Sequence, residues 1–276
     1  MQPSVSAYTL HKASVHGTKH AKLGLNNQDA CMVMEFLIGP TSYRLGVVSD
    51  GCSGIPAVSR TEVGSNLLAA FCLTQVQELL SGGHRIDDIP AALYPALTGF
   101  CRTLSRLVVP EGTYLPHRPS RLKGQEYRND LTPAERFRID YLAATIIGFL
   151  DDGTTLITFR KGDGVIIVNE HIQVIDQDNT PEYLGVSVNR PGEEFNVDTY
   201  DSAAVQRLVI ATDGIEPLLA LEGVGDQLFT PGGSYGMQGN LNVLRREYPE
   251  KLADDCSFVV RERHECEEAA HETEPS

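Results

Sequence analysis

The apolar positions change period along the chain, and the changes mark the elements. Residues 5–16 alternate loosely and read as a strand. Cys31–Ile38 and Tyr43–Ser49 are apolar runs separated by Gly39-Pro40-Thr41-Ser42, the pattern of a β-hairpin. From Val63 to Leu80 the spacing turns helical: Leu68, Cys72, Val76 and Leu79/Leu80 share a stripe, and Gly82-Gly83 stops it. A second helix is predicted from about Pro90 to Val109, with Leu93, Leu97, Phe100, Leu104 and Leu107 as its stripe. Asp87 and Asp88 precede it, Pro90 suits its first turn, and Pro95 would distort its start.

Residues 110–131 are polar and carry Pro110, Pro116 and Pro119, which reads as an inserted loop. Thr132-Pro133-Ala134-Glu135 is a capping-box pattern opening a short helix to about Asp140. Leu142–Leu150, Thr154–Arg160, Gly164–Asn169 and His171–Ile175 are strand-like, and Asp152-Gly153 and Asn169-Glu170 suit tight turns. These four segments are expected to form an antiparallel meander. Residues 177–195 read as a loop or flap, Arg207–Thr212 as a strand, Gly214–Leu221 as a short helix and Cys256–Arg261 as a last strand. Residues 262–276 are rich in glutamate and are expected to be a solvated, mobile tail.

Hairpins beside two adjacent helices indicate an α+β fold built on antiparallel sheets. A continuous βαβ alternation is missing, which disfavours a Rossmann fold, and no repeat is visible. No linker-like stretch divides the chain, so residues 1–261 are expected to be a single domain.

Composition narrows the function. Hydrophobic residues are 41% and charged residues 22%, as in a folded globular protein. The net charge of −14 argues against a nucleic-acid partner, since a polyanion would be repelled. No apolar run reaches the ~20 residues of a membrane span, and the first residues carry no secretory pattern. The six cysteines form no Cys-x-x-Cys pair, so free thiols in a reducing cytoplasm are expected.

Two segments echo each other. Leu45–Asp50 and Leu208–Asp213 are apolar strands that end in Ser-Asp-Gly and Thr-Asp-Gly. Asp163 lies in Gly162-Asp163-Gly164 between two strands, Asp254-Asp255 precede the last strand, and Asp29 precedes an early one. Any single Asp-Gly is more often a tight turn than a site. Clustered at one end of a sheet, however, these charges would repel unless a cation compensated them. Oxygen donors without His or paired Cys point to Mg²⁺ or Mn²⁺ rather than zinc.

The ordered series Asn27-Gln28-Asp29, Ser49-Asp50-Gly51-Cys52-Ser53-Gly54, Gly162-Asp163-Gly164, Thr212-Asp213-Gly214 and Asp255-Cys256-Ser257 resembles the metal-dependent protein phosphatases of type 2C. The resemblance spans roughly residues 10–261, and its wording is similar to that of short bacterial-type members. It implies a sandwich of two antiparallel sheets flanked by helix pairs, with residues 63–109 as one pair. It implies two or three Mn²⁺ or Mg²⁺ ions, with Asp50, Gly51, Asp213 and Asp255 as ligands and Asp163 linked to a further ion. Asp29 would orient the attacking water. The implied reaction is hydrolysis of phosphoserine or phosphothreonine in a phosphorylated protein substrate by metal-activated hydroxide, without a covalent intermediate. The expected partner is a serine/threonine kinase, in cytoplasmic signalling.

Three positions depart from the family pattern. Gln28 stands where a Glu is usual, and its neutral amide would weaken one metal contact. Cys52 stands where many members have a general-acid His, and is either a proton donor or a packing residue. Gly24 stands where a phosphate-binding Arg is common, leaving Lys19, His20 and Lys22 as substitutes or as an ordinary solvated loop. These departures keep a second hypothesis open: a pseudophosphatase that binds a phosphoprotein or kinase without hydrolysis.

Overall fold

A computed structural model describes residues 7–52, 60–108, 131–177, 182–188, 192–230 and 236–264. Two five-stranded antiparallel sheets form its centre. The first has the order β1 (Ala7–Val15), β10 (Cys256–His264), β9 (Arg207–Ala211), β6 (Gly164–Val168) and β7 (His171–Ile175). The second has the order β2 (Ala30–Ile38), β3 (Thr41–Ser49), β4 (Ile146–Asp151), β5 (Thr155–Lys161) and β8 (Asn196–Asp201).

The apolar runs are continuous rather than alternating because the central strands are buried on both faces. Val47, Ile146 and Phe159 face outward onto α2 (Thr61–Ser81) and α3 (Ile89–Val108), whose Leu68, Cys72, Val76, Leu93 and Leu97 complete that layer. Their chain neighbours Val48 and Ile147 face inward with Phe149, Ile166, Ile210 and Val259, filling the space between the sheets. On the far side Val209, Phe258 and Val260 pack on α6 (Glu216–Leu219), α7 (Val224–Phe229) and α8 (Gly236–Glu247) through Leu218, Leu228, Leu241 and Leu244. The fold is therefore α+β in four layers, helix–sheet–sheet–helix, as expected.

Several elements match closely. The hairpin β2–β3 pairs Ala30 with Ser49 and Ile38 with Thr41. The capping box at Thr132 and Glu135 starts α4 (Pro133–Leu142), with both reciprocal bonds present. Asn169 takes a positive φ of 55° at the β6–β7 turn, and its side chain receives the backbone N–H groups of Gln206 and Arg207.

The expected meander needs correction. β4 and β5 belong to the second sheet, but β6 and β7 belong to the first. The chain crosses between the sheets at Gly162-Asp163, so the four strands are two hairpins. The expected tail also needs correction, because Glu262, Arg263 and His264 continue β10 opposite Thr9, Tyr8 and Ala7. The rest of that tail and most of the 110–131 insertion lie outside the described residues. The 177–195 segment contains a short helix, α5 (Leu184–Ser187). α1 (Thr18–Leu23), β8, α7 and α8 are present beyond the elements expected from the sequence.

No helix of the described residues is long and apolar enough to cross a membrane.

Candidate active site

Strand register brings the acidic strand ends together. Ala30 lies opposite Ser49 and Val48 opposite Ile147, so Asp29, Asp50 and Thr145 share one end of the second sheet. Ile146 lies opposite Lys161, which adds Asp163 to that end. In the first sheet Val165 and Phe258 both lie opposite Ala211, so Asp163, Asp213 and Asp254-Asp255 share the matching end.

Each strand exit is fixed locally. The Asp50 N–H donates to Thr145 Oγ1 at 3.0 Å, and the Thr145 N–H returns a bond to the Asp50 carbonyl at 2.8 Å. Gly51 is held so tightly that a Cβ would sit 2.8 Å from the Gln28 carbonyl oxygen and 2.9 Å from the Thr61 backbone. Gly214 is tighter still, since a Cβ there would meet the Asp255 carbonyl at 1.9 Å. Both Asp-Gly glycines thus serve close backbone approach.

The carboxylates feel one another. Burial, then the charges of Asp255 and Asp213, push Asp29 up to about 8, against a lowering hydrogen bond from Thr212. The Thr212 hydroxyl donates to Asp29 Oδ2 at 2.7 Å. Burial and the charges of Asp29, Asp213 and Asp254 raise Asp50 well above the ordinary carboxylate range, and the Asp29 and Asp50 side chains are in hydrogen-bond contact. Asp213 is pushed up to about 6 by burial and by Asp163, Asp254 and Glu216. Asp163 is raised by burial and by Asp176.

This cluster fits divalent cations. Two carboxylates in contact need either a shared proton or a positive ion between them. The buried Gln28 Oε1 and Asp163 Oδ1 receive no hydrogen bond. The donors are carboxylate, amide and peptide oxygens, the set that suits Mg²⁺ or Mn²⁺.

Asp255 differs from the expectation. Its Oδ1 accepts the Gly17 N–H at 2.6 Å, and its Oδ2 accepts the Gln28 N–H at 2.6 Å and bonds His20 Nδ1 at 2.9 Å. Burial opposes its ionisation, yet these bonds outweigh burial and hold its carboxyl below the ordinary value. Its neighbour Asp254, more than half exposed along its side chain, acts on Asp50 and Asp213, while the Asp255 charge acts on Asp29.

His20 also differs. It is buried with both ring nitrogens on carboxylates, Nδ1 as above and Nε2 3.3 Å from Asp254 Oδ1. It is therefore a structural partner of Asp255 rather than the phosphate contact expected of it. Lys19 and Lys22 are exposed on α1 and line a surface cavity with Leu23, Pro249 and Ala253, beside Asp254. Gln28 is buried, and its Nε2 donates to Thr61 Oγ1 at 3.1 Å. Cys52 is half-buried, its N–H donates to the Ala143 carbonyl at 2.9 Å, and its carbonyl accepts from Thr61 Oγ1.

Two neighbours of the cluster have no role assigned by the sequence, the Thr212 hydroxyl and Asp254. Thr212 sits inside Thr-Asp-Gly, and its hydroxyl could have been suspected from that motif.

The whole chain can now be compared with known proteins. The model of the protein phosphatase 2C family matches residues 16–245. The chain belongs to that family. No curated protein matches the sequence significantly. Among solved structures, a bacterial serine phosphatase is 12% identical, with a TM-score of 0.59 over 93% of this chain and 98% of that one. The catalytic domain of the serine/threonine phosphatase PstP, in complex with two manganese ions, is 16% identical, with a TM-score of 0.54 over 94% and 99%. Stp1 from Staphylococcus aureus is 12% identical, with a TM-score of 0.58 over 93% and 95%. At these identities the likeness concerns the fold.

Proposed function

We propose that the protein is a Mn²⁺- or Mg²⁺-dependent phosphatase acting on phosphoserine and phosphothreonine in proteins. The observation that carries this is the convergence of Asp29, Asp50, Asp163, Asp213 and Asp254 at one end of the sandwich, where burial and neighbouring acids raise the carboxyls of Asp29, Asp50, Asp163 and Asp213. Asp50, Asp213, Asp254 and the Gly51 carbonyl would hold two ions, Asp163 would contact a further one, and Asp254 takes the role that the sequence suggested for Asp255. Bound cations supply Lewis acidity and offset the phosphoryl charge. The chain's own groups do the rest. Asp29, steadied by Thr212, takes a proton from the attacking water. Asp255, locked by Gly17, Gln28 and His20, fixes the backbone from which Asp254 projects. Lys19 and Lys22 offer positive charge beside the cleft to an anionic phosphopeptide. The phosphorylated substrate would be supplied by a serine/threonine kinase, in the cytoplasm.

Hydrolysis of p-nitrophenyl phosphate and of a phosphothreonine peptide by metal-stripped protein, with and without Mn²⁺, tests this beside Asp50→Asn. We expect Mn²⁺-dependent turnover that falls by at least about 10²-fold in the variant. Absence of turnover in folded wild-type protein with either cation would replace the enzyme by the pseudophosphatase, for which the uncharged Gln28 is the favouring observation.

A further inference from the structure

α1 and the turn before β10 enclose a surface cavity of about 710 Å³. Its two walls are fastened to each other. The Thr18 N–H donates to the Leu252 carbonyl at 2.9 Å, the Lys19 N–H donates to the Ala253 carbonyl at 2.8 Å, and the Thr18 hydroxyl donates to the Pro249 carbonyl at 2.7 Å. The same helix is fastened to the residues of the acidic cluster. The Gly17 N–H donates to Asp255 Oδ1 at 2.6 Å, and His20 Nε2 lies 3.3 Å from Asp254 Oδ1. Gly17 packs so closely that a Cβ would lie 2.3 Å from the Asp254 carbonyl carbon. The cavity wall therefore reaches Ala253, one residue from Asp254, and shares a frame with the cluster.

The cavity is mostly apolar. Leu23, Pro249 and Ala253 line it, and Leu23 is 57% exposed, a large apolar side chain left uncovered by the described residues. Lys19 and Lys22, both exposed, stand on the same wall, and Glu250 is the acid of the lining. On a chain of net charge −14, these two lysines favour the approach of a phosphorylated, anionic peptide from this side. We propose that the cavity is a specificity subsite of the phosphatase. It takes an apolar side chain, of leucine size or larger, from a residue within three positions of the phosphorylated serine or threonine, while Lys19 and Lys22 draw the peptide in. This rests on the phosphatase function proposed above. An extended peptide advances about 3.3 Å per residue, so a phosphoryl group at the cluster leaves its near neighbours within reach of Ala253. Seating the side chain removes its own surface and that of Leu23 from water, which an unflanked phosphate ester cannot do.

Peptides with one phosphothreonine in a glycine–serine background test this, with a single leucine placed in turn at each of the three positions on either side. In wild type we expect kcat/KM at the favoured position to exceed that of the leucine-free peptide by about 10-fold. That ratio should fall to about 1 in Leu23→Ser and stay near its wild-type value in Leu23→Met. Leu23 is exposed, so neither substitution disturbs the core. A wild-type ratio near 1 at every position, or an unchanged ratio in Leu23→Ser, would overturn the proposal. A dimer that dissociates in Leu23→Ser while the ratio stays the same would assign the cavity to a second copy of this chain instead. Hydrolysis of p-nitrophenyl phosphate but of none of the peptides would overturn the subsite and leave the chemistry standing. Wild-type protein that hydrolyses no substrate would remove the phosphatase function, and this proposal with it.

Discussion

Asp255 accepts three hydrogen bonds in a buried setting, and His20 is the one side chain among the three donors. The hydrogen bond that His20 donates to Asp255 raises His20 above 6.5, helped by the charges of Asp255 and Asp254 and opposed by burial. The contribution of His20 is therefore full below 6.5 and is lost as pH rises through its higher folded value. Asp255 is held below 3.8, so its contribution is lost only as pH falls through that lower value. Replacing His20 by Asn should cost about 1–3 kcal/mol near pH 6, measured by urea unfolding, and less at pH 9. A cost equal at both pH values would refute an ionic pair. At this scale Asp29, Asp50, Asp163 and Asp213 were legible because each stands where an apolar run ends. Asp254 and Asp255 were not separable, because the groups that hold Asp255, namely the Gly17 and Gln28 N–H groups and His20, lie far away in the chain.

Elements were legible where burial imposes a pattern. The strands packed on both sides show as apolar runs, and α2 and α3 show as stripes. The edge strand β8 and the helix α8 were missed for the converse reason: β8 reads Asn-Val-Asp-Thr-Tyr-Asp, and α8 buries only Met237, Leu241 and Leu244 among polar residues. The end of β10 was misread because Glu262 and Arg263, following Arg261, look like a solvated charge run. Their partners lie far away in the chain. Arg261, fully buried, links the two sheets at the end opposite the acids, with Nε 2.9 Å from Asp151 Oδ2 and Nη2 2.6 Å from Ser202 Oγ. Its guanidinium also stacks over Tyr8, with its carbon 4.4 Å from the ring centroid. Removing one partner of a buried pair strands the other charge, so Arg261→Met should cost about 3–5 kcal/mol. Urea unfolding measures this, and a loss under about 1 kcal/mol would show that Arg44, 3.8 Å from Asp151, replaces Arg261.

At the scale of the molecule, the fold concentrates acids at one end of a chain that already carries a net charge of −14. Without cations, Asp29 at about 8 and Asp213 at about 6 keep protons that the unfolded chain has released. Stability of the cation-free protein through these groups is therefore full below about pH 4 and declines as pH rises toward 8. A cation held by the same oxygens competes with those protons, so its stabilising effect should grow over the same range. The rise in Tm produced by millimolar Mg²⁺ should be larger at pH 8 than at pH 5.5. Nonspecific screening of the net charge would also raise Tm, but Asp50→Asn changes that charge by only one and should leave screening intact. The increment that grows with pH should accordingly vanish in Asp50→Asn while a small, pH-independent rise persists. If the variant keeps the growing increment, the cation acts on the acidic surface at large, and the strand-end cluster is not where it binds.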